Sequence, residues 1–140
     1  MKFIIYPNKN NGVAVVFPST GINMSLQQLA KKVVPENTEY SIVENLTIDN
    51  YFFDAYEYKN GNAVLNIEKA KEIQKNKWRT VREQEFEKLD LDFMLAIEKG
   101  DLEQQKIIAS KKQELRDITK TELPDDLETI KEFWPNCLTQ

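Results

Sequence analysis

The chain predicts an α+β fold: a small N-terminal sheet with one helix, followed by a long antiparallel helical hairpin and a short C-terminal helix. Three observations carry that expectation. Short β-branched and aromatic runs alternate with turn residues over the first 65 or so positions. A helical pattern then runs from Ile67 to Lys99 and is broken by Gly100-Asp101. Finally, a capped segment from Leu127 stops at Trp134-Pro135. Residues 1–66 are therefore assigned to an α+β head, and residues 67–140 to a helical hairpin with a C-terminal capping helix.

In the head, Phe3 to Tyr6 and Val13 to Phe17 flank Pro7-Asn8-Lys9-Asn10-Asn11-Gly12, a hairpin signal. The apolar run Val13-Ala14-Val15-Val16-Phe17 predicts a strand buried on both faces. Ser25, with Gln28 three positions on, forms a capping box for a helix carrying Leu26, Leu29, Ala30, Val33 and Val34, which Pro35 ends. Tyr40 to Val43 is a third strand, and Ala63 to Leu65 a fourth after the turn Lys59-Asn60-Gly61-Asn62. The aromatic cluster Tyr51, Phe52, Phe53, Tyr56 and Tyr58 reads as core rather than as a pocket lining.

Asn66 caps the long helix, and Asp101, with Gln104 behind it, caps the next, which runs to about Thr119. At 1.5 Å per residue the first helix is roughly 50 Å long and the second roughly 27 Å. Charge is uneven along them. Six basic residues between Lys69 and Arg82 meet Glu72 alone, whereas eight acidic residues from Glu83 to Glu103 meet Lys88 and Lys99. Lys111, Lys112 and Arg116 fall beside the acidic stretch, so that stretch is balanced within the hairpin. The basic stretch overhangs the shorter helix and has no local counterpart. Lys69, Lys71, Lys75, Lys77, Arg79 and Arg82, with Trp78 among them, are thus the candidate partner-binding residues, facing an acidic protein surface. Trp78 has a competing and preferred reading as a core residue under the head. Leu127, Ile130 and Phe133, with Trp134, are expected to dock on the hairpin and clamp the C-terminus.

Composition narrows the chemistry. The chain has no histidine, which removes imidazole acid–base catalysis, Ser-His and Cys-His pairs and imidazole-bound zinc. Cys137 is the single cysteine and cannot form an internal disulfide. Glu87, Asp90 and Asp92 lack the Gly-centred loop and distal Glu of a Ca²⁺ site. No cofactor, metal or enzymatic activity is expected. A net charge of −4 argues against general nucleic-acid binding. No apolar run approaches the ~18 residues of a membrane span, and MKFIIYPNKNNG is too short in apolar residues for a secretory signal. A cytosolic protein is the expectation.

The segments IEKAKEIQKNKWR, LDLDFMLAIEKGD and KKQELRDIT, followed by EFWP, resemble small proteins of tailed bacteriophages, similar to tail-fibre assembly and tail-assembly-chaperone proteins. The matching stretches are Ala70 to Ile73, Leu89 to Asp101, Lys112 to Thr119 and Trp134-Pro135. The resemblance covers roughly Tyr51 to Pro135, and the N-terminal head departs from the usual pattern. It implies a non-enzymatic tail accessory protein that binds a phage tail or tail-fibre protein, as assembly chaperone or as structural adaptor. Its place would be the host cytoplasm during assembly, or the virion tail. A second copy of the chain is a further candidate partner. The alternative from a different class is a phage-encoded inhibitor of a host defence or regulatory protein.

Overall fold

The structure, a computed structural model, describes residues 1–138. It shows the α+β fold and divides into two compact units, Met1–Ala70 and Lys71–Gln140, with the division inside the first turn of the long helix.

In the first unit, β1 (Phe3–Pro7) and β2 (Val13–Val16) form an antiparallel hairpin in the register Ile4↔Val16 to Pro7↔Val13. The turn is set by one side chain. Asn8 Oδ1 accepts from the backbone N–H of Asn10 at 3.0 Å and of Gly12 at 2.9 Å, and Asn11 takes the left-handed conformation that asparagine tolerates. β3 (Ser41–Val43) pairs antiparallel with the other side of β1, giving the order β2-β1-β3. The strand buried on both faces is therefore β1, not β2. Successive residues point to opposite faces, and Ile4 and Ile5 are both fully buried. β2 lies at an edge, where only Val13 is buried and Phe17 beyond it is 66% exposed.

The capping box at Ser25 is present in both directions and starts α1 (Leu26–Val33). A 3-10 segment (Asn50–Ala55) takes up the first aromatics and buries Phe52. The remaining aromatics form a strand that the sequence does not announce: β4 (Tyr56–Lys59), paired with β5 (Asn62–Leu65) around Asn60-Gly61. Among the described residues five strands stand where four were expected. A single bridge between Gly12 and Glu57 joins the two sheets, and Ser41 Oγ donates to the Gly61 carbonyl at 2.6 Å.

The second unit holds most of α2 (Ile67–Lys99), α3 (Leu102–Asp117) with a 3-10 turn to Lys120, and α4 (Leu127–Glu132). Gly100 (φ +66°) closes α2 in a Schellman motif. Its N–H donates to the Ile97 carbonyl and that of Asp101 to the Ala96 carbonyl. Asp101 then caps α3 by accepting from the Gln104 N–H. Trp78, Ile108, Leu115 and Ile130 are buried in this unit. Lys112 pairs with Asp90 and lies 5.0 Å from the Phe93 ring centre, while the Arg116 guanidinium lies 5.9 Å from that of Phe86.

Candidate interaction surface

The first turn of α2 is fixed by the head. Asn66 Oδ1 accepts from the N–H groups of Glu68 and Lys69, and Asn66 Nδ2 donates to Glu57 at 2.9 Å. Lys69 Nζ approaches the other Glu57 oxygen at 3.3 Å. The Asn66 hydrogen bond, with the Lys69 ammonium beside it, holds the Glu57 carboxyl below its usual range. A hollow of about 310 Å³ with a mixed lining adjoins this pair, with Asn8, Asp54 and Lys69 among its polar residues and Val13, Phe53 and Tyr56 among its apolar ones.

The basic stretch of α2 is not an open overhang. The C-terminal segment lies along it. Gln74 is fully buried, and its Nε2 donates to the Phe133 carbonyl at 2.9 Å. One helical turn on, the Trp78 indole N–H donates to the same carbonyl at 3.1 Å, and the Phe133 ring packs 5.8 Å from the Trp78 ring. Trp78 is fully buried. It is a core residue, as the preferred reading had it, and the Phe133 ring and carbonyl of the C-terminal segment pack on it.

Most of the charges are engaged too. Lys69 meets Glu57, Lys71 meets Asp125 at 2.6 Å, and Arg79 meets Glu72 at 2.6 Å and also Asn76. Arg82 reaches the Leu115 carbonyl and lies near the Phe86 ring. Lys77 is engaged as well. Lys75 makes no ion pair or hydrogen bond among the described residues, and it is half-buried. The expectation that this stretch lacks acidic counterparts is thereby corrected. The counterparts come from distant sequence, Glu57 and Asp125, and a local count of charges misses them. The clamp is corrected in detail as well: Ile130 and Leu138 are buried, the Phe133 carbonyl makes the latch, and Trp134 is only half-buried.

The exposed apolar surface lies elsewhere. Around the end of the hairpin Leu91, Met94, Leu95, Ile97, Leu102 and Ile107 are 43–68% exposed. The two sides of a helix cannot both face a single neighbour, so these apolar residues stay exposed while the opposite side of each helix packs within the hairpin. The sequence signal was available. In LDLDFMLAIEKGDLEQQKII the apolar residues exceed what one buried stripe can use.

Among the described residues no group of three or more His, Cys, Asp or Glu could hold a metal ion, and no helix is long and apolar enough to cross a membrane. Comparison with protein-family models, with curated proteins and with solved structures finds no match to this chain.

Proposed function

We propose that this chain is a non-enzymatic bacteriophage tail accessory protein that binds a tail or tail-fibre protein, as assembly chaperone or structural adaptor. The observation that supports it best is the apolar hairpin end: six large side chains displayed on two rigid, well-capped helices. Such a surface suits docking into an apolar groove of another protein. The resemblance of the hairpin sequence to tail-assembly proteins supplies the context. This docking surface differs from the one expected from charge, most of whose basic residues are engaged within the chain.

The test is genetic and structural. In the phage that carries this gene, deletion is expected to yield particles with missing or defective tails or fibres by electron microscopy. Leu91→Glu with Leu95→Glu, both exposed positions, is expected to reproduce the deletion while the purified variant keeps its helical circular dichroism. Mass spectrometry of virions separates adaptor from chaperone by the protein's presence or absence. Normal particles from the deletion would overturn the reading and favour an inhibitor of a host protein.

A further inference from the structure

One side of the hairpin carries a regular pattern that stays exposed. On α2, positions Glu83, Glu87, Asp90, Met94 and Ile97 follow one another at intervals of four, three, four and three. On α3, Leu102, Lys106, Ala109, Gln113 and Arg116 repeat the same intervals. Every one of these ten residues is exposed. Spacing of this kind averages 3.5 residues and places each set in one row along its helix, the arrangement of a coiled-coil seam. The contacts put both rows on the same side of the hairpin. Asp90 is paired with Lys112 next to the α3 row, and Arg116 reaches over Phe86 next to the α2 row.

The chemistry along the rows is graded. Toward the tip both carry apolar residues, Met94 and Ile97 on one and Leu102 and Ala109 on the other, with Lys106 standing between the last two. Away from it the α2 row is acidic, with Glu83, Glu87 and Asp90, and the α3 row ends in Gln113 and Arg116. We propose that this face binds a second copy of the chain, tip beside tip, so that α2 of one copy lies on α3 of the other and the two hairpins make a parallel-sided four-helix bundle. A two-fold axis along the helices brings the apolar ends together and sets the acidic row of each copy against the α3 row of the other. The same levels that meet within one chain meet across the axis, so Glu87 lies opposite the partner copy's Arg116. The complementarity is between unlike rows of one surface, which is what an isologous dimer requires.

The size of the face sets the strength. Fourteen residue steps give a row about 21 Å long, and two adjacent helices are about 20 Å across. A footprint on the order of 400 Å² per copy is below the ~800 Å² of a standard interface, so the dimer is weak and reversible. Leu91, Leu95 and Ile107 lie outside the two rows and remain for a different partner. The dimer face shares Met94, Ile97 and Leu102 with the surface of the proposed tail function but does not rest on that reading.

Sedimentation velocity of the full chain from about 1 μM to about 1 mM, a range that brackets weak association, is expected to show a monomer passing into a dimer. Ile97→Glu with Leu102→Glu is expected to leave a monomer throughout, with the melting temperature at the lowest concentration unchanged. Met94→Glu is an independent probe should that pair fail to fold. Glu87→Arg alone and Arg116→Glu alone should each weaken the dimer about tenfold, and the two together should restore it. A chain that stays monomeric to the highest concentration overturns the proposal. So does a dimer indifferent to the apolar variants, or a charge pair without rescue.

Discussion

Glu57 joins three parts of the head through one carboxylate: the β4 strand that carries it, the cap residue Asn66 and the Lys69 ammonium. Because the folded-state pKa lies below the ordinary 4.5, its stabilising contribution is present above that value and is lost as pH falls through the lowered one. Glu57→Gln is expected to lower the melting temperature at neutral pH. The gap between variant and parent should close on acidification below about pH 4.5, followed by thermal melts across pH. Cys137 moves in the opposite sense. Partial burial pushes its thiol up, and the Glu114 carboxylate adds to the effect. At pH 8 it is expected to react with a disulfide reagent more slowly than free cysteine, a difference that denaturant should abolish. Trp78 combines bulk with a donor. Trp78→Ala should cost ~3–5 kcal/mol in chemical denaturation. Trp78→Phe should cost only about 1 kcal/mol, since Gln74 still satisfies the Phe133 carbonyl.

The hairpin turn works through backbone conformation, not packing. A Cβ on Gly100 would meet nothing within 4 Å, yet φ is +66°, so only the left-handed strain opposes substitution. Gly100→Val is expected to lose ~1–2 kcal/mol or more, and Gly100→Asn much less, read from denaturant midpoints. Caps of this kind are what the sequence shows most clearly. Ser25, Asn66, Asp101 and Asp126 each accept the bond their position foretells, because a cap is settled within four residues. Strand placement is less legible. The run from Val13 to Phe17 looks central by composition, but β1 takes the centre because β3 arrives 34 residues after it to cover its second side. β4 is hidden for a similar reason: Tyr56 and Tyr58 read as aromatic core until β5 pairs with them. The basic row of α2 misleads most, since two of its acidic partners, Glu57 and Asp125, lie outside the stretch in which the charges are counted.

At the scale of the whole chain, the last eighteen or so residues decide what α2 shows to solvent. Truncation after Thr121 removes Ile130, the Phe133 carbonyl and Trp134 together. Trp78 is then the single remaining tryptophan, and its emission should shift to the red as water reaches the indole, with marked loss of stability. An unshifted spectrum would mean that something other than the C-terminal segment covers it. The latch itself has a consequence for how the sequence can drift. Gln74 and Trp78 both grip a main-chain oxygen, an atom that every amino acid at position 133 would offer in the same place. The fold therefore fixes where the chain passes but only weakly fixes which residue passes there. Phe133, 37% exposed, is bound by its side chain only through the ring contact with Trp78, so another large apolar residue can stand there, while Gln74 and Trp78 are held by their own hydrogen bonds.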